Sequence, residues 1–201
     1  MNWSKTTPFG LLAETMSKKF QSELGMGLTE DSKRFLAQIA FRTPNIDNYD
    51  NLSLNWDQFN GKCHPDNRFT LWEWFYYITK LLTNYLAHLW AEYKIIGFIS
   101  RKDAESLLIN TTPGTFLLRF SNSKLGSITV NYLSETGKVI SIEPYDASDI
   151  KSISLVNRIR DIKVLTHLYP NTPKDVAFGK YYTWPSASSG YVTLDLAFTP
   201  R

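Results

Sequence analysis

Residues 115–123 read TFLLRFSNS, an apolar strand pattern with a single arginine near its centre. Charged side chains are rarely buried without a partner of opposite sign, so Arg119 requires one. The planar guanidinium matches a phosphate or a carboxylate through two parallel hydrogen bonds. Ser121 and Ser123 follow at the spacing of two that places them on the strand face of Arg119. This face therefore offers N–H donors and two hydroxyls to an oxyanion.

The alternation of the strand bears on where Arg119 lies. Phe116, Leu118 and Phe120 form a wholly apolar face, and Leu117 shares the opposite face with the arginine. Neither face has the pattern of a freely solvated surface. The residues alone leave three interpretations open: an anion site, an internal pair with an aspartate or glutamate, and an exposed strand arginine lying on apolar neighbours.

The composition predicts a globular chain with a substantial core, because 43% of the 201 residues are hydrophobic and 14% aromatic. The net charge is +3, from 22 Lys and Arg against 19 Asp and Glu, and no basic run is present that would follow a nucleic-acid backbone. We therefore expect weak nonspecific DNA binding.

The lack of a secretory signal pattern and the single cysteine favour an intracellular chain. Cys63 is the single cysteine, so no internal disulfide forms, and the N-terminus lacks a secretory signal pattern. Residues 69–90 are strongly apolar, but Glu73, Lys80, Asn84 and His88 interrupt them. This stretch predicts a buried helix and not a membrane insertion.

The hydrophobic period changes along the chain, from about 3.6 residues before position 95 to 2 after it. Helices are expected at 10–24, after the cap residue Thr29, and at 70–90. The second half predicts a helix at 104–108, strands at 115–121, 127–133 and 138–143, and a helix starting near Ser154. The fold class is therefore α+β.

The C-terminal residues differ in composition from both halves. Residues 184–190 read WPSASSG, which is typical of a flexible linker, and residues 191–196 read YVTLDL, a short alternating segment. Such an end usually frays or pairs as an edge strand.

Several separated blocks resemble one family, the signal transducers and activators of transcription (STATs). The blocks that resemble its helical linker domain are GLT at 27–29, FLA at 35–37, Trp56 with Phe59, and FTLWEW at 69–74. Those that resemble its Src homology 2 (SH2) domain and the junction into it are LW at 89–90, GFISR at 97–101, residues 113–123, EPY at 143–145, LYPN at 168–171 and AFGKYY at 177–182. In this order and spacing the set covers nearly the whole chain.

The resemblance implies an all-α linker domain at 1–92 and an SH2 domain at 93–182, with a central antiparallel sheet flanked by helices. A flexible tail with a phosphorylatable tyrosine follows at 183–201. In the family the strand arginine binds the phosphate of a phosphotyrosine, so this role is carried to Arg119, with Ser121 and Ser123 as hydroxyl donors. Arg101 and Asn122 join the site where the family commonly has lysine and glutamate.

The resemblance also implies that a tyrosine kinase phosphorylates Tyr191. The nine steps of chain from Tyr182 to Tyr191 span at most roughly 30 Å, which disfavours self-docking, and the resemblance implies docking into a partner's pocket. The implied partners are receptor phosphotyrosine peptides and a second STAT in a homodimer or heterodimer. The implied locations are cytoplasm and nucleus, and DNA binding would need coiled-coil and DNA-binding regions that this sequence does not include. The alternative is a stand-alone SH2 adaptor or a negative regulator without DNA binding.

An enzyme is the function class with least support. The histidines are His64, His88 and His167, and the adjacent Cys63 and His64 have neither metal-ligand spacing nor the flanking pattern of a nucleophile. No glycine-rich nucleotide loop is present. We therefore expect no catalytic residue, no metal and no cofactor.

Overall fold

The structure, a computed structural model, describes residues 6–44, 46–61 and 69–184. Its first half is helical because side-chain caps start the amphipathic segments: Thr29 accepts from the Ser32 amide, and Asn55 and Thr70 each form a capping box. The helices are α1 (Phe9–Leu24), α2 (Glu30–Phe41), α3 (Trp56–Phe59), α4 (Leu71–Leu81) and α5 (Ala87–Ala91), with a π-helical turn at Leu82–Leu86 between the last two.

Two features of this half depart from the expected plain helices. The run from Leu71 to Ala91 is the predicted central helix, but the π-turn interrupts its α-helical hydrogen bonding. Two-residue strands β1 (Thr7–Pro8) and β2 (Ser53–Leu54) also pair antiparallel. This ribbon ties the segment after α2 back to the start of α1.

The second half is a five-stranded sheet in the order β5-β4-β3-β6-β7. Its strands are β3 (Thr115–Phe120), β4 (Ile128–Leu133), β5 (Val139–Ser141), β6 (His167–Leu168) and β7 (Thr172–Pro173). The flanking helices are α6 (Arg101–Leu108), α7 (Ala147–Ser152), α8 (Leu155–Asp161) and α9 (Lys174–Phe178), followed by a 3₁₀ turn at Gly179–Tyr181. The predicted strands and helices are present, and the α+β class with a mainly antiparallel sheet is confirmed.

The β3–β6 pair is parallel and was not predicted, and neither were α7 and α9. β6 and β7 have two residues each, too few to show an alternating pattern. α7 has six residues and buries one apolar side chain, Ile150, so it carries no helical periodicity in the sequence.

One hydrophobic core joins the helical half to the sheet. Phe98, just before α6, lies with its ring centroid 4.8 Å from Phe120 of β3, 5.8 Å from Phe20 of α1 and 5.9 Å from Trp74 of α4. Gly97 allows this approach, since a Cβ there would lie 2.5 Å from the Phe120 ring, and its φ of 76° also favours glycine. The two halves therefore pack as one unit.

A polar contact ties the same halves together at the far end of α5. Glu92 accepts hydrogen bonds from Lys180, at 2.5 Å, and from the Tyr181 hydroxyl. These donors lower the pKa of Glu92 to about 2. The C-terminal 3₁₀ turn is thereby held against the last helix of the first half.

Candidate functional site

Arg119 lies near the end of β3, with its main chain fixed on both sides. It pairs with Thr129 of β4 on one side and bridges to Gly97 on the other. Its side chain is only 7% exposed and lies on the face of Leu117, against which α6 packs. The structure therefore does not support the interpretation of Arg119 as an exposed strand arginine.

The hydrogen-bond partners of Arg119 are all neutral. Its Nε donates to Asn131 Oδ1 at 3.0 Å, and Nη1 donates to the Phe120 carbonyl at 3.1 Å and to Asn122 Oδ1 at 3.5 Å. Across the three described stretches of the chain, no carboxylate oxygen forms an ion pair with the guanidinium. An internal pair with an acidic side chain is therefore not found there.

The electrostatics of Arg119 are those of a charge without a counter-ion among the described residues. Burial lowers its pKa, the positive charge of Arg101 lowers it further, and Glu105 raises it in part. A buried cation with only neutral acceptors gains strongly from an anion, because the local dielectric is low and the bond is charge-assisted. The arrangement can bind a phosphate or a carboxylate.

The two predicted serines lie together in the loop that follows β3. The hydroxyl oxygens of Ser121 and Ser123 are 3.0 Å apart, and Ser121 Oγ also accepts from the amides of Ser123 at 3.2 Å and Lys124 at 3.3 Å. Ser121 is buried and Ser123 is exposed. One hydroxyl donates to the other, so one O–H of the pair is free for a ligand and the second becomes free when that bond breaks; Asn122 between them contacts Arg119.

Arg101, the first residue of α6, is exposed. Ser100 caps the helix, and the Arg101 guanidinium is paired with Glu105 at 2.8 Å. Its positive charge helps to lower the pKa of Arg119. An exposed ion pair of this kind is worth little, so an incoming anion can recruit Arg101 at small cost.

Lys124 also lies in the loop, but acidic residues of the second half hold it. Its Nζ lies 2.9 Å from Asp146 and 3.2 Å from Asp149, which are at the start of α7. It also donates to the Pro144 carbonyl. This cation therefore fixes the loop to α7, and its charge is already compensated.

The helical half supports the same loop from the other side. The Trp74 indole of α4 donates to the Ser121 carbonyl at 2.7 Å, and both residues are 2% exposed. Gly126 packs against Tyr77, where an added Cβ would lie 2.9 Å from the Tyr77 Cβ. The tryptophan is core, as expected from its type, and it also orients the residue that follows the Arg119 strand.

Replacing Trp74 by phenylalanine is expected to lower the free energy of unfolding by about 1–3 kcal/mol, because the buried Ser121 carbonyl loses its donor. Phosphopeptide affinity should fall as well, since the loop is less fixed. Chemical denaturation and peptide titration measure the two effects. Trp72→Phe in the same helix is the matched control, since Trp72 is 37% exposed. Equal behaviour of the two variants would contradict the support role.

Asn131 is the contact that sequence reasoning missed. It pairs with Leu117 across the β3–β4 register, which puts it diagonally beside Arg119 on the same face. The sequence signal that could have identified Asn131 is a polar residue within the largely apolar strand 128–133. Its contact with Arg119 depends on the register of β3 and β4, which the sequences of the two strands do not reveal.

Tyr191 lies outside the described residues, and so do Cys63 and His64. The chain leading towards Tyr191 is held in place at Thr183 by two hydrogen bonds. The Thr183 amide donates to Asn157 Oδ1 at 3.0 Å, and the Thr183 carbonyl accepts from Arg160 Nη1 at 2.6 Å. Both partners belong to α8.

Metal binding and membrane insertion are two further function classes. Among the described residues, no three histidine, cysteine, aspartate or glutamate side chains come close enough to hold a metal ion. Within the same stretches, no helix has the length and apolarity needed to cross a membrane.

Comparison with known proteins gives two family matches. Residues 1–75 match the model of the signal transducer and activator of transcription, linker domain, and residues 95–169 match the SH2 domain. A solved structure, the inactive choanoflagellate E3 ubiquitin ligase Cbl TKB, matches 87% of this chain and 48% of its own, with 17% identity and a TM-score of 0.33. That likeness is too low to add to the assignment.

Two curated relatives are each 37% identical to the chain. The signal transducer and transcription activator of Anopheles gambiae aligns over 179 residues, 87% of this chain and 25% of its own length. The human signal transducer and activator of transcription 6 aligns over 187 residues, 89% of this chain and 22% of its own length. The chain spans about a quarter of these relatives. It belongs to the signal transducer and activator of transcription family, of which it carries the linker and SH2 domains.

Proposed function

We propose that this chain is a phosphotyrosine-binding signal-transduction protein of the STAT type. The observation that carries the proposal is the buried Arg119 guanidinium, which has only neutral partners among the described residues. The phosphate would bind to Arg119, with Ser121 and Ser123 donating from their hydroxyls. Asn122 would border the site, and Arg101 would turn from Glu105 towards the phosphate.

The proposed ligands are phosphotyrosine peptides of receptors and the phosphorylated Tyr191 of a second STAT chain. Phosphorylation by a tyrosine kinase adds about −1.5 to −2 charges and strong acceptor oxygens, and so supplies a counter-ion that the described residues do not give Arg119. Reciprocal docking of two tails would then give a homodimer or a heterodimer. The hydrogen bonds between α8 and Thr183 support reciprocal docking, because they fix the point from which each tail starts.

The proposed domain boundaries are a linker domain at 1–92, an SH2 domain at 93–182 and a tail at 183–201. The end of α5 at Ala91 and of the 3₁₀ turn at Tyr181 support them. We assign no catalysis to the chain and propose that it acts in cytoplasm and nucleus, as expected for relatives named transcription activators. Contact with DNA is assigned to regions outside this sequence.

The test is the mass of the protein in solution by light scattering, before and after phosphorylation of Tyr191. We expect the mass to double, and we expect Tyr191→Phe and Arg119→Ala each to abolish the doubling. A phosphorylated chain that stays monomeric but binds an external phosphopeptide would favour the alternative, a stand-alone SH2 adaptor or a negative regulator. A chain that does neither would overturn phosphotyrosine binding.

A further inference from the structure

The side chain of Asn131 is completely buried between two polar partners. Its Oδ1 accepts from Arg119 Nε at 3.0 Å, and its Nδ2 donates to Ser141 Oγ of β5 at 2.6 Å. The sheet register aligns these residues on one face, since Asn131 pairs directly with Ser141 and lies diagonally from Arg119. The three side chains therefore form a hydrogen-bonded chain beneath the anion site.

The orientation of the Asn131 amide follows from its neighbours. A guanidinium can only donate, so the amide oxygen must face Arg119. The amide nitrogen then faces Ser141, whose hydroxyl oxygen accepts. Arg119 thus sets the orientation of the amide, and the Ser141 hydroxyl satisfies the amide nitrogen.

We propose that Asn131 is the positioning residue of the anion site: it fixes the Arg119 guanidinium by its Nε edge and leaves the positive charge free for a phosphate. This inference rests on the proposed function of the site. Of the five guanidinium donors, Nε is used by Asn131 and Nη1 by the Phe120 carbonyl and Asn122. No described residue accepts a hydrogen bond from Nη2, whose donors remain for a ligand.

The neutrality of Asn131 is as important as its position. A carboxylate at the same place would form an ion pair with Arg119 and compete with the phosphate. Aspartate has nearly the shape of asparagine, and the Ser141 hydroxyl can rotate to donate to it. Asn131→Asp should therefore fold, yet bind phosphate poorly.

The experiment titrates a phosphotyrosine peptide against the full chain and its variants by calorimetry, together with thermal unfolding and the NMR signal of the Arg119 Nε–H. Asn131→Asp should weaken binding at least tenfold without lowering the unfolding midpoint, a combination that a merely structural role would not give. Asn131→Ala should remove the protection of the Nε–H from solvent exchange. Ser141→Ala, which leaves the charge unchanged, should weaken binding less than Asn131→Asp.

The outcomes separate this inference from the proposed function. If the wild type binds the peptide and Arg119→Ala does not, but Asn131→Asp binds like the wild type, the positioning role is wrong and phosphotyrosine binding stands. If the Nε–H stays protected in Asn131→Ala, the positioning role is also wrong. If the wild type fails to bind any phosphotyrosine peptide, both are overturned.

Discussion

Arg119→Ala is expected to weaken phosphotyrosine-peptide binding by about 30-fold to a few thousandfold. Truncating one partner of a buried charged pair costs about 2–5 kcal/mol, and each 1.4 kcal/mol is a factor of ten in Kd. The fold should survive, because the substitution removes a buried charge that has no counter-ion among the described residues. Calorimetric titration with one phosphopeptide and its unphosphorylated form measures the effect.

Two further variants should weaken phosphopeptide binding less than Arg119→Ala does. Arg119→Lys keeps the charge and loses the planar fork, so its affinity should fall between those of the wild type and the alanine variant. Arg101→Ala should only weaken binding, because Arg101 is exposed and already paired with Glu105. Near wild-type affinity for Arg119→Ala would remove the basis of the proposed site.

Phe98→Ala is expected to have the largest effect on stability, about 3–5 kcal/mol, because it opens a cavity among packed aromatic rings. Phe98 is 4% exposed and contacts Phe20 and Trp74 of the helical half as well as Phe120 of the sheet. We therefore expect the linker and SH2 domains to lose stability together. Tryptophan fluorescence reports mainly on unfolding of the helical half. Hydrogen exchange in β3 and β4 reports on unfolding of the sheet.

The control is Ile109→Ala, since this side chain is 55% exposed and its loss should change stability by about 0.5 kcal/mol or less. Coincident transitions in both probes for Phe98→Ala would agree with a shared core. Two separate transitions, with only one of them shifted, would show that the domains unfold independently.

The sequence predicted those parts of the fold that depend on local chemistry. Thr29 caps its helix, a helix begins next to position 70, and the alternation of 115–121 and 127–133 predicted two strands of the sheet. The apolar face of Phe116, Leu118 and Phe120 is fully buried, as the pattern indicated. Each of these signals lies within one short stretch, where propensity, period and capping act together.

The parts that were missed depend on contacts between distant stretches. Trp74 and Ser121 are 47 positions apart, and their hydrogen bond has no sequence signature. The Asn131 contact depends on strand register, and the parallel β3–β6 pair on the path of the chain. Arg119 could be identified as a candidate from its own strand, but the absence of a counter-ion among the described residues could be known only from the folded structure.

The π-turn at Leu82–Leu86 determines the directions in which the later side chains of the helix point. A π-turn holds one residue more than the α-helical geometry it replaces, and each residue of an α-helix turns the chain by about 100°. The extra residue thus aims Trp90 at Phe120 and Phe98, and brings Glu92 to Lys180. We therefore expect the deletion of one residue from this segment to rotate the junction between the two halves out of alignment, whichever side chain is removed.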